Sequence, residues 1–261
     1  MGDERFESGA AEYADYLRTV EGRLRLDLAM ANVREFVDNA HGSIENKRAL
    51  DVGGGTGAQA IVLAKSGWRV SVLDSSAAML ALAEKAASDA NLSSEQIRFY
   101  QAEAEQVAEL FGPQAFHLVI CHNVLEYVDD SLAVLISLKK VLADDGLVSI
   151  LVRNRAGEVM RAALKAHDLV SAESMLTADW AIESLYGGQA RLFDEQGCRE
   201  LCSAAGLDVL ATRGIRVVAD YLPPELSATD DAYARLLAFE QRCGAITEFA
   251  AVARYLQTIA R

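Results

Sequence analysis

The feature that most constrains this chain is a short apolar run that ends in a cluster of glycines. Ala49, Leu50, Asp51 and Val52 lead directly into Gly53, Gly54, Gly55, Thr56 and Gly57. Glycines there let the backbone turn at positive φ and approach a ligand without a Cβ in the way. A helix starting immediately afterwards aims its free N–H groups at the same spot. Strand, glycine turn and helix in that order open a βαβ unit, which calls for further parallel strands downstream.

The rest of the chain supplies them. A stripe of Leu26, Met30, Val33 and Val37 predicts a helix over 24–37, before the first strand at 48–52. The next helix runs to about Ser66 and is closed by Gly67. A second strand over 68–73 ends at Asp74, and Ser75 or Ser76 can cap a helix carrying Met79, Leu80 and Leu82. Strands follow at 97–102 and 116–121, each with a helix behind it. The last of these helices, 131–142, meets a turn at 144–146 that feeds a fifth strand, 147–153.

After Asn154 the rhythm breaks. Residues 155–190 read as one or two extra helices with Met160, Leu164, Met175, Trp180 and Tyr186. A helix near 194–204, a strand near 207–212, a helix over 229–242 and an edge-type strand over 255–260 complete the pattern. The expectation is an α/β fold, a Rossmann-like, seven-stranded and mostly parallel sheet with helices on both faces. As a single domain it divides into an N-terminal helical cap (1–46), a ligand-binding core (47–154), a helical lid insertion (155–193) and a C-terminal part of the sheet (194–261).

Composition narrows the function classes. A formal net charge of −13 weighs against a broad nucleic-acid surface, although it leaves room for a local basic patch. No apolar run approaches bilayer length, and the first residues lack the pattern of a secretory signal. A cytoplasmic protein with no membrane partner is expected. Cys121, Cys198, Cys202 and Cys243 form no paired framework and read as free thiols, and no metal role is visible.

The glycine loop carries the chemistry. Asp74, at the tip of the second strand, can accept both hydroxyls of a ribose, and both Asp51 and Asp74 lie at the carboxyl edge of a parallel sheet, where such folds bind ligands. Gly53, Gly55 and Ala58 also satisfy a dinucleotide fingerprint, so a nicotinamide-dependent oxidoreductase is an alternative. Against it, Asp51 inside the loop would repel a pyrophosphate and welcome an ammonium.

The ordered set of the glycine loop, Asp74, Ala102 to Glu105 and Val119 to Val128 resembles class I S-adenosylmethionine-dependent methyltransferases over about 50–154. A narrower similarity spans nearly the whole chain. Glu21 to Arg25, His122 to Val128, Gly214 to Leu222 and Ala253 to Tyr255 are similar to the bacterial tRNA 5-carboxymethoxyuridine methyltransferases. That resemblance implies S-adenosyl-L-methionine as cofactor, with Arg25 on its carboxylate, Gly53, Gly54 and Gly55 lining the loop, and Asp74 with Ser75 at the ribose. Ala104 and Glu105 would flank the adenine, and His122 would close the floor.

The implied partner is a modified tRNA or a small-molecule acceptor, and the neutral-to-acidic stretch 166–180 favours the latter. A carboxylate acceptor needs no base. An amine or hydroxyl would need one, and His122 and Glu126 are the nearest catalytic candidates. Arg155, Arg216 and Tyr186 are the candidate substrate contacts, guanidinium being suited to bidentate pairing with a carboxylate.

Overall fold

The computed structural model describes residues 4–41, 47–183 and 188–261. Helices α1 (Glu4–Ser8), α2 (Ala10–Tyr16) and α3 (Val20–His41) come first, and α3 buries Leu24, Leu28, Met30, Val33 and Val37. Strand β1 (Arg48–Val52) leads to α4 (Ala58–Lys65). That helix stops in a Schellman arrangement: Gly67 has φ +89°, its N–H reaches Ala64 and the Trp68 N–H reaches Leu63.

Strand β2 (Arg69–Asp74), α5 (Ala77–Asp89), β3 (Ile97–Gln101), α6 (Val107–Leu110), β4 (Phe116–His122) and α7 (Ser131–Val141) continue the alternation. Ser76, rather than Ser75, caps α5 by accepting from the Met79 N–H. Strand β5 (Leu142–Arg153) begins earlier than the sequence suggests. Residues 144–146 belong to it, because Leu142 pairs with Phe116 before a register shift restores the ladder at Leu147.

The insertion is α8 (Arg155–Met160), a π-turn over Arg161–Lys165, and α9 (Leu169–Met175). It ends not in helix but in a small hairpin of β6 (Trp180–Ile182) and β7 (Gln189–Arg191). Trp180 is thus a strand residue, stacked under Arg191 at 5.0 Å, and Tyr186 lies outside the described residues. Helix α10 (Glu195–Ala204), β8 (Val209–Ile215), α11 (Asp230–Gly244), α12 (Thr247–Ala250) and β9 (Tyr255–Ala260) close the fold.

The main sheet has seven strands in the order β3-β2-β1-β4-β5-β9-β8. Strands β1 to β5 are mutually parallel, while β9 runs antiparallel to both β5 and β8. The expectation of an edge strand at 255–260 is therefore overturned. All six residues are buried between two neighbours, and the two polar ones, Gln257 and Thr258, lie inside the core on opposite faces of the sheet.

One apolar cluster packs α7 and α10 on β1, β4 and β5, with Leu50, Val119, Leu138 and Val148 among its members. A second packs α3, α4 and α5 on the opposite face through Val33, Leu63, Val72 and Ile120. Each fully buried aliphatic side chain contributes about 1.5–3 kcal/mol. Chain order reverses between β1 and β4, so a crevice opens there at the carboxyl ends of the strands.

Candidate active site

The glycine loop sits at that crevice. Gly53 adopts φ +63°, and a Cβ there would lie 2.3 Å from the Val124 methyl. The Gly53 N–H donates to the Leu73 carbonyl at 2.7 Å, fastening the loop to β2. Asp74 accepts from the Gly55 N–H at 2.8 Å and from the Ser76 N–H at 2.9 Å. Burial pushes its carboxyl up, against those two hydrogen bonds.

Above the loop lies a cavity of about 720 Å³. Gly53, Gly55, Asp74, Ser75, Ala104 and Glu105, all singled out from the sequence, line one end. Gly54 faces an adjoining smaller cavity. Asp51 is corrected: it does not line the large cavity, but lies behind Gly54, 2% exposed, with one carboxylate oxygen unpartnered among the described residues. Burial, and then the neighbouring Asp74, push its carboxyl up to about 7.

Arg25 is buried at the cavity wall. Its guanidinium donates to Asn123 Oδ1 at 2.9 Å and to the Tyr13 hydroxyl at 2.8 Å, and it lies 5.2 Å from the Tyr16 ring centroid. No acid pairs with it among the described residues. A buried guanidinium held only by neutral groups lacks a counter-charge, which is costly unless a ligand anion supplies one. Asn123 sits in the left-handed region at φ +56°, and its amide is oriented by Glu126, which accepts from Nδ2 at 2.9 Å.

That is the role the geometry gives Glu126. Its carboxylate also accepts the Arg153 backbone N–H at 2.8 Å, and it does not line the cavity, so the expected base is a loop fastener instead. His122 does line the cavity, but its ring is spent. Gln59 Nε2 lies 2.8 Å from Nδ1 and Ser149 Oγ lies 2.7 Å from Nε2. Burial, and then Arg25, lower it to about 3. A histidine so placed is a poor proton acceptor, which corrects the catalytic assignment and leaves its place at the cavity floor.

The other end of the cavity is cationic. Arg153, Arg161, Lys165, Arg216 and Arg254 line it together with Tyr255. The sheet order brings them together: Tyr255 is the register partner of Arg153 on one side and Ile215 on the other, and the Arg254 N–H donates to the Arg216 carbonyl. Arg216, at φ +61°, pairs with Asp220 and donates to the Tyr16 hydroxyl at 3.0 Å. Buried Glu240 holds the turn that follows by accepting the N–H groups of Val217, Val218 and Ala219. Glu158 bridges Arg153 and Arg254.

Arg155, by contrast, stays off the cavity and ties the insertion to Asp179, Asp194 and the Ala178 carbonyl. Its expected substrate role is replaced by a strut. Sequence reasoning missed Tyr13 and Tyr16, whose only signal is a tyrosine pair one helical turn apart, and gave Arg254 and Tyr255 no function of their own.

A family described as "Methyltransferase domain" matches residues 20–212, and the chain belongs to it. Its cofactor is S-adenosyl-L-methionine, and the protein is an S-adenosylmethionine-dependent methyltransferase. The chain is 29% identical to the tRNA 5-carboxymethoxyuridine methyltransferase of Escherichia coli (strain K12), covering 100% of this chain and 97% of that one. It is 30% identical to the ubiquinone biosynthesis O-methyltransferase of Methylococcus capsulatus, over 66% of this chain and 68% of the relative. A solved methyltransferase structure from Thermotoga maritima shares the fold, with a TM-score of 0.59, 15% identity and 98% of both chains covered. Arg216, Asp220, Arg254 and Tyr255 all lie beyond the matched span of the family.

Proposed function

We propose that this enzyme methylates a carboxylate, and that the carboxylate belongs to a 5-carboxymethoxyuridine at the wobble position of a tRNA. The observation that carries the reading is the pairing of a cationic acceptor end with the loss of both candidate bases. His122 has no free ring nitrogen and Glu126 lies outside the cavity. A carboxylate is ionised at neutral pH, so no proton has to be removed before it attacks.

The residues suit the cofactor. Glycines at 53 and 55 leave room that a Cβ would narrow, Asp74 offers a carboxylate to the ribose, and Arg25 lacks an anion until the methionine carboxylate arrives. When bound, the cofactor supplies an electrophilic sulfonium methyl. The protein's part is alignment: Arg25 and Asp74 fix the donor, while Arg216 and Arg254 hold the acceptor carboxylate in line, and such positioning supplies several orders of magnitude in rate. Arg161 and Lys165 at the same end of the cavity offer cations to nearby phosphates. The full-length similarity to the Escherichia coli tRNA enzyme supports the tRNA acceptor.

A second reading, a small-molecule carboxylate, is favoured by the net charge of −13 and by the few cations in the insertion. The test is methyl transfer from labelled S-adenosylmethionine to tRNA bearing 5-carboxymethoxyuridine, to the same tRNA lacking the carboxymethoxy group, and to small carboxylic acids. A base-labile ester on the first substrate alone supports the proposal. Labelling of the second tRNA, or of small acids alone, overturns it.

A further inference from the structure

Tyr255 differs from the other polar groups of the cavity. Its backbone sits on β9 between β5 and β8 and its ring packs with Leu24, Leu28 and Ile215, yet it lines the cavity, and among the described residues no hydrogen bond reaches its hydroxyl. The guanidiniums of Arg254, Arg25 and Arg216 lie 5.5, 5.8 and 5.9 Å from the ring centroid. They come from β9's own approach, from α3 and from the turn after β8. Arg153 is its register partner on β5.

The remaining groups that face this cluster are Tyr16 on α2, Tyr127 after β4, and the acids Glu158, Glu183 and Asp220, each acid already paired with one of the arginines. Guanidiniums therefore surround the Tyr255 ring from several elements, and the residue borders the cavity.

We propose that Tyr255 is an acceptor-contacting residue whose proton responds to occupancy, its hydroxyl donating a hydrogen bond to the acceptor carboxylate when that carboxylate is present. This rests on the carboxylate reading above. Burial alone pushes the phenol up, but Arg254, Arg25, Arg216 and Arg153 together outweigh it and leave it lowered to about 8. A carboxylate arriving among the same guanidiniums neutralises them, so the phenol regains its ordinary reluctance to ionise. One proton moves from solvent to the phenolate oxygen, and nothing is oxidised or reduced.

By linkage, carboxylate affinity is constant below pH 8 and falls by up to about tenfold per pH unit above it. The first test is ultraviolet titration of the full-length protein and of Tyr255→Phe, which keeps the ring. The wild type should show one tyrosine ionising near pH 8 that the variant lacks. The second is calorimetry of methoxyacetate at pH 8, in two buffers of different ionisation enthalpy, with S-adenosylhomocysteine saturating so that Arg25 is already engaged.

Uptake of a fraction of a proton by the wild type, and none by Tyr255→Phe together with weaker binding, is the expected result. The inference is overturned if the two titrations coincide, if methoxyacetate does not bind, or if it binds with equal proton uptake in both proteins. Proton-linked binding without any methyl ester formed on a carboxylate would sink the proposed reaction and leave the role of Tyr255 standing.

Discussion

His122 Nε2 lies 2.7 Å from Ser149 Oγ, and Ser149 in turn accepts from Gln257 on β9 at 2.9 Å. With Gln59 at the other ring nitrogen, the imidazole links the helix behind the glycine loop to the middle of the sheet. It acts as a rivet in the cavity floor.

The histidine should be felt through stability. Its folded value of about 3 lies below the ordinary 6.5, so the native state favours the neutral ring. The unfolded chain binds a proton below pH 6.5 that the native state refuses, and stability falls from there down to about pH 3. Denaturant titrations across pH 7 to 4 should show this loss, and His122→Asn should remove that component. A pH–rate profile that shows an essential group near 6.5 would contradict the assignment.

Arg25 and Asp74 should separate the two halves of the cofactor. Arg25→Met should weaken S-adenosylhomocysteine by about ten- to a hundredfold, the range for a charge-assisted hydrogen bond. It should leave 5′-methylthioadenosine, which lacks the carboxylate, unchanged. Asp74→Ala should weaken both ligands severely with the fold intact by circular dichroism. Calorimetry with the two ligands decides, and equal losses for both in Arg25→Met would misplace the clamp.

Asp51 offers a test with the opposite sign. Its folded value of about 7 is raised above 3.8, so stability is full below the unfolded value and is lost as pH climbs from 3.8 through 7. Asp51→Asn should therefore raise the melting temperature of the ligand-free protein at pH 7 and above, and flatten its dependence on pH over that window. A lower melting temperature at pH 8 would show that the carboxylate is needed in its charged form.

Gly157 on α8 packs against the backbone leading into β9. A Cβ there would lie 2.3 Å from the Ala253 carbonyl oxygen and 2.8 Å from Arg254 Cα, and backbone cannot rotate away. Gly157→Ala should displace Arg254 and Tyr255, depressing methyl transfer while leaving calorimetric affinity for the cofactor close to wild type. Loss of both together would place the damage elsewhere.

The glycine-loop end of the cavity is legible in the sequence because its geometry is local. A strand, four glycines, a helix and Asp74 are fixed by short-range backbone chemistry, and the side chains that line the cavity there follow. The arginine-lined end is not, because it depends on which strands become neighbours. Arg153, Arg216 and Arg254 converge only once β9 inserts antiparallel between β5 and β8. β9 itself was misread because its buried polar groups are satisfied inside: Gln257 accepts from Asn32 and donates to Ser149. The sequence marks the loop that carries His122 and Glu126, but their roles are decided by hydrogen-bond partners that are mostly distant: Gln59 and Ser149 for His122, and the Arg153 N–H beside the local Asn123 for Glu126.

The insertion of β9 also separates two evolutionary problems. On the proposed assignment, donor binding rests on strands β1 to β4 and the loops between them, whereas the acceptor is met by the end of β5, the turn after β8 and the start of β9. A lineage could exchange one acceptor for another by redrawing those three strand ends, while the machinery that grips the methyl donor is inherited untouched.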